Sequence, residues 1–94
     1  MTGRNRIQAK AAIINTRGLH ARASAKFVAT AAKFRSDITV VKGETTVSGR
    51  SIMGLMMLAA AKGSMIELIA EGPDANEAIT ALTALIAARF HEDS

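Results

Sequence analysis

The chain has no cysteine, no tryptophan and no tyrosine, only three phenylalanines and a single proline. Without cysteine there is no disulfide, no thiolate metal site and no cysteine nucleophile, a usage that fits a reducing compartment. The shortage of aromatic rings counts against a surface that stacks unpaired bases. No apolar run reaches the roughly 18–20 residues of a membrane span. The basic start Met1-Thr2-Gly3-Arg4-Asn5-Arg6 is followed by no long apolar stretch, which predicts no signal peptide. These absences predict a cytoplasmic protein with no membrane insertion. His91 lies in the acidic tail without other histidines or cysteines nearby, so no metal site is expected. No glycine-rich phosphate loop, metal-binding carboxylate cluster or hydrolase motif is present. No cofactor is therefore expected, and the chain is not expected to bind phosphoenolpyruvate or ATP by itself.

What is there is a 94-residue chain, 49% hydrophobic and 21% charged, enough for one small domain with one core. A single core predicts a monomer, ordered over about residues 6–90. The net charge of +4 is unevenly placed: residues 1–50 sum to +8 and residues 51–94 to −4. A basic first half suggests an anionic partner, whether nucleic acid, phosphate or an acidic protein surface; a solvated basic surface accounts for it equally well.

Period-two alternation predicts a strand over residues 7–14, with Ile7, Ala9, Ala11 and Ile13 on one face. After the loop Asn15-Thr16-Arg17-Gly18, helical spacing runs over 21–34. Phe27, Val28, Ala31 and Phe34 form its apolar stripe, and Arg22, Lys26, Thr30 and Lys33 the opposite one. Strands at 37–41 and 45–48 flank a turn and read as a hairpin. Ser51 is placed to cap a helix over 52–62 that Gly63 stops. A strand at 65–70 and a turn at Gly72-Pro73 follow, and Asp74 with Glu77 reads as a capping box. The last helix has Ala75, Ala78, Ile79, Leu82, Leu85, Ile86 and Phe90 on one stripe, and the tail at 91–94 is expected to fray. The order βαββαβα is most economically one sheet with helices on one face, leaving Gln8, Lys10, Thr39 and Glu67 toward solvent. Helical spacing cannot bury every apolar residue between Ile52 and Leu58. Leu55 and Leu58 are expected inside and Met53 outside, although the methionines also suit a core.

The run Gly18-Leu19-His20-Ala21-Arg22-Ala23-Ser24 puts a histidine where a strand-like segment gives way to a helix. A helix start presents free N–H groups and the positive end of a dipole, which favour an anion. Neutral imidazole is a nucleophile near physiological pH. Phosphorylated on a ring nitrogen, it becomes a reactive phosphoramidate. N–H groups near Ala21 and Arg22, the Arg22 guanidinium and Arg17 beside the loop glycine would balance the charge. A polar cap on a basic surface would account for the same histidine.

Gly18-Leu19-His20-Ala21-Arg22 resembles the active-site motif of HPr, the histidine-containing phosphocarrier family of the bacterial phosphotransferase system. Ser51-Ile52-Met53-Gly54-Leu55-Met56 resembles that family's second motif, around its regulatory serine. The spacing of the two motifs and the element order match as well, over about residues 6–90. The resemblance implies an α+β open-faced sandwich, a four-stranded antiparallel sheet with three helices on one side. It implies that His20 is phosphorylated through Nδ1, that Arg22 is the active-site arginine, and that Ser51 is the target of an HPr kinase/phosphorylase where one exists. Ile52, Met53 and Met56 would belong to an apolar docking patch. Apart from the resemblance, Lys26 and Lys33 on the polar face of the first helix read either as steering for acidic partners or as plain solubilising charges. The implied partners are enzyme I as donor and enzyme IIA as acceptor, in sugar transport or in a regulatory branch. The carrier would pass through a phosphohistidine and would not be a stand-alone enzyme. One departure stands out: Ala23 occupies the position after the arginine where the family usually has proline. A basic α+β module that binds nucleic acid is the alternative reading.

Overall fold

The computed structural model describes residues 5–94; the basic start at 1–4 lies outside the described residues. Strand β1 (Asn5–Ala12) leads to helix α1 (Ala21–Ala31), then β2 (Asp37–Lys42), β3 (Thr45–Ser48), helix α2 (Ile52–Met57), β4 (Met65–Gly72) and helix α3 (Ala75–Ala87). A single left-handed turn at Arg89–His91 follows α3. The four strands form one antiparallel sheet in the order β1-β4-β2-β3, with the three helices on one side.

The register explains why the alternation seen in the sequence is useful. Ala9 pairs with Leu68, Leu68 with Val40, and Val40 with Val47, so one apolar row crosses all four strands. Ile7, Ala70 and Ile38 form the next row on the same face. A shift of one residue would turn these rows to solvent, so burial of one face pins the register. The helices cover the rows with Phe27 from α1, Leu55 from α2 and Leu82 from α3, all fully buried. Lys10 on the opposite face is exposed, and Glu67 beside it is half-buried.

Four departures from the sequence expectation have a visible cause. First, β1 leaves the ladder at Ala12, because Ile13 exchanges hydrogen bonds with the loop before β4: its N–H donates to Ser64 O at 2.8 Å and its carbonyl accepts from Gly63 N at 2.7 Å. Second, α1 ends at Ala31 in tight turns, with Lys33 N donating to Thr30 O and Phe34 N to Ala31 O; Phe34 still packs on the core. Third, α2 has six residues and stops before the Ala59-Ala60-Ala61-Lys62 run. Ala59 turns left-handed at φ 51°, and the Ala60 carbonyl accepts from Leu19 N at 2.9 Å. That long-range bond overrides the strong helix propensity of the alanines. Fourth, the tail is docked: Glu92 is half-buried and hydrogen-bonded.

The capping box at α3 is also replaced by a different arrangement. The Asp74 side chain makes no hydrogen bond to its own helix. Its carboxylate accepts from Arg35 N at 2.9 Å, Ser36 N at 2.9 Å and Ser36 Oγ at 2.6 Å, tying the loop between α1 and β2 to the start of α3. Arg50 clamps the same loop from the other side, donating to Phe34 O at 2.8 Å and Ser36 O at 3.1 Å.

Candidate functional site

His20 is the N-cap residue of α1: its backbone is extended, and its carbonyl accepts the first helical hydrogen bond from Ser24 N at 2.9 Å. The loop that delivers it is fixed at three points. Gly18 N donates to Asn15 O at 3.1 Å, Asn15 Nδ2 donates to Gly18 O at 2.8 Å, and Leu19 N reaches Ala60 O. Gly18 has a φ of 65°, and a Cβ there would collide with the Ala60 carbonyl. Both facts call for glycine.

The imidazole makes no capping bond to the helix. Its Nε2 instead meets the Glu92 carboxylate, with side-chain exposures of 17% for His20 and 13% for Glu92. Asn15, itself fully buried, donates from Nδ2 to the other Glu92 oxygen at 3.0 Å. Burial pushes the Glu92 carboxyl up, but hydrogen bonds from His20 and Asn15, with the Lys26 charge nearby, outweigh it and hold the group below its ordinary range. An ionised carboxylate only accepts, so Nε2 carries the proton of this bond. Among the described residues Nδ1 makes no hydrogen bond.

Arg17, Leu19, His20 and Ala60 line one shallow hollow. Arg17, Arg22 and Lys26 line a neighbouring one with tail residues including Glu92 and Asp93. Arg17 is common to both, so the cationic residues picked out in the sequence gather at one end of the molecule. Arg22 is exposed and makes no hydrogen bond to the ring among the described residues. Lys26 is half-buried, and its Nζ donates to Phe90 O at 2.7 Å, a structural tie as well as a charge. Ala23 is fully buried in the first helical turn, ahead of the first helical N–H to be bonded.

Ser51 caps α2 as expected, its Oγ accepting from Gly54 N at 2.9 Å. On α2 Leu55 is buried, as is Leu58 just beyond it, while Ile52, Met53, Met56 and Met57 face solvent; Met53 is 71% exposed and Met57 74%. The chain runs from this apolar surface directly into the segment at 59–61 that borders His20. Phe27 and Phe90 are fully buried and Phe34 packs on the core, so no aromatic platform for bases exists among the described residues. Asn15 and Glu92 were not among the sequence candidates. The only hint of them in the sequence is the contrast between a basic first half and an acidic tail.

The model of the phosphorylation site of the phosphotransferase-system HPr component matches residues 7–88. The HPr phosphocarrier protein of Neisseria meningitidis is 59% identical over 80 residues, covering 85% of this chain and 90% of that protein. The HPr of Cupriavidus necator is 50% identical over 86 residues, covering 92% and 97%. Among solved structures, an HPr from Thermoanaerobacter tengcongensis superposes with a TM-score of 0.89 at 45% identity, covering 94% of this chain and 99% of that one. Two sequence motifs in register, a histidine at a helix start and these likenesses lead to one assignment: the chain belongs to the HPr phosphocarrier family of the phosphotransferase system.

Proposed function

We propose that this chain is a single-domain, monomeric cytoplasmic carrier that takes a phosphoryl group on His20 Nδ1 from the phosphohistidine of an enzyme I and passes it to a histidine of an enzyme IIA. The observation that carries the reading is the placement of His20: an N-cap imidazole beside Arg17, Arg22 and Lys26, with Nε2 occupied and, among the described residues, no hydrogen bond on Nδ1. Phosphoryl transfer asks mainly for positioning and charge balance, which a small carrier can share with its partner's site. The N–H groups at the start of α1, with Arg22 and Arg17, supply donors and positive charge for the phosphoryl oxygens.

Ile52, Met53 and Met56 form the face on which both partners dock, and adaptable methionines suit a surface that must fit two of them. Lys26 and Arg17 add positive charge that favours acidic partner surfaces. Ser51 sits at the edge of this face. Phosphorylated there by a kinase of the HPr kinase/phosphorylase type, it would place close to two negative charges beside Ile52 and Met53 and gate docking without touching His20.

The test is incubation with phosphoenolpyruvate and purified enzyme I, followed by intact mass and acid lability. Wild type gains one acid-labile phosphoryl group and His20→Ala gains none. A folded wild type that accepts no phosphate from any related enzyme I would refute the carrier reading.

A further inference from the structure

The Glu92 carboxylate lies beyond the span 7–88 that the family model matches, and 72 positions along the chain from the ring it touches. We infer that Glu92 is a positioning residue for His20: reaching back from the tail, its carboxylate holds the imidazole with the proton on Nε2 and so leaves the Nδ1 lone pair as the nucleophile. The inference rests on the carrier reading for its consequence, though not for the contact itself.

Three independent anchors put the carboxylate there. Arg89, Phe90 and His91 have φ of 57°, 54° and 62°, a left-handed turn that L-residues adopt reluctantly, and it reverses the chain toward the start of α1. The fully buried Phe90 ring pins that turn, and Lys26 Nζ bonds its carbonyl. Asn15 then holds the second carboxylate oxygen. Asn15 has committed both N–H groups, one to Gly18 O and one to Glu92, so its amide cannot turn over without losing both bonds. A strained turn so heavily over-determined is a sign of a positional task.

The consequence for the reaction is specific. The Nδ1 lone pair forms the new N–P bond while the donor's N–P bond breaks and returns its electron pair to the donor ring. No proton moves on His20. The ring keeps Nε2–H and becomes cationic, and the Glu92 carboxylate balances that charge as it develops. Without Glu92 the ring is free to hold its proton on Nδ1, where it cannot attack.

The test compares wild type with Glu92→Gln, Glu92→Ala and Glu92→Asp by two readouts. The first is nitrogen NMR of the His20 ring, with no phosphoryl donor present. The second is the rate of transfer from phosphorylated enzyme I. Wild type is expected to show Nε2–H alone. Gln, which both donates and accepts, and Ala, which does neither, should admit the Nδ1–H form and slow phosphorylation by about tenfold, the scale of one charge-assisted hydrogen bond. Asp should restore part of both. A purely structural tail contact would leave the tautomer unchanged, and that result overturns the inference. So does transfer at or above the wild-type rate in Glu92→Gln, as a tail that merely blocks the site would give. If wild type takes no phosphate while the ring of Glu92→Gln loses its single tautomer, the carrier reading fails and the hold on the ring stands.

Discussion

Ser51 caps α2 through the oxygen that the proposed function would have phosphorylated, and the observed and the proposed role separate by substitution. As N-cap it satisfies the Gly54 N–H, so Ser51→Ala should cost about 1 kcal/mol and lower Tm by roughly 4–8 °C in a domain of this size. Ser51→Asp keeps a capping oxygen and adds a charge that suits a helix start, so stability should stay within about 0.5 kcal/mol of wild type. Phosphoryl uptake responds in the opposite order. Ser51→Ala leaves the docking face uncharged and should accept phosphate nearly as wild type does. Ser51→Asp sets an anion beside Ile52 and Met53, and the enzyme I concentration for half-maximal rate should rise about tenfold or more. Calorimetry and a donor titration on both variants check this crossover. Equal uptake by Ser51→Asp and wild type across donor concentrations would remove the gating role and leave only the cap.

At the scale of elements, Asp74 locks the loop before β2 to the start of α3, just past the point where β2 and β4 cease to pair. Its carboxyl is held below its ordinary value of 3.8, first by the hydrogen bond from Ser36 Oγ and then by that from Arg35 N, with burial acting in the opposite sense. A carboxyl with a depressed folded pKa stabilises the fold fully above its unfolded value, and the contribution drains away as pH falls through the folded one. Asp74→Asn should therefore melt below wild type near neutral pH, and the gap should close as pH falls well below 3.8. A gap that persists unchanged in acid would mean that shape, not charge, makes the contact. This loop clasp also marks what the sequence could not reveal. The strands, α1 and α3 were legible because periodicity reports which face is buried: the predicted stripe of α3 is buried from Ala75 to Ile86, while Phe90, expected on the same helix, is buried from the left-handed turn beyond its end at Ala87. Local signals failed where a distant partner decided. Asp74 followed by Glu77 reads as a capping box, but the N–H groups of Arg35 and Ser36 compete for the same carboxylate and take it. Alanines 59–61 favour helix, but the Leu19 N–H claims the Ala60 carbonyl. That His20 and Ser51 stand at helix starts was legible in the sequence, whereas the Glu92–His20 contact has no periodic or motif signature at all.

At the scale of the whole molecule, the residues that hold the fold are distinct from those proposed to meet partners. Leu68 sits on β4, paired on both sides, in the apolar row that crosses the sheet, and it is fully buried. Leu68→Ala removes its methyl groups from a fully buried site and leaves a cavity, at about 2–5 kcal/mol. Domains of this size are stable by about 5–15 kcal/mol, so that one change takes a large share of the total. Met53 is 71% exposed on α2, where the core gains little from it. Met53→Glu should leave stability within about 0.5 kcal/mol of wild type. It also inserts a charge into the apolar face proposed to dock both donor and acceptor, so transfer from enzyme I and delivery to enzyme IIA should slow together. Urea unfolding and the two transfer rates, measured on both variants, separate the cases. Leu68→Ala should shift the unfolding midpoint and, below it, still transfer from whatever fraction is folded. Met53→Glu should leave the midpoint in place and raise the partner concentration needed at both steps. Slowing at one step alone would assign α2 to a single partner, and the other would have to reach His20 across the Arg17 and Arg22 side.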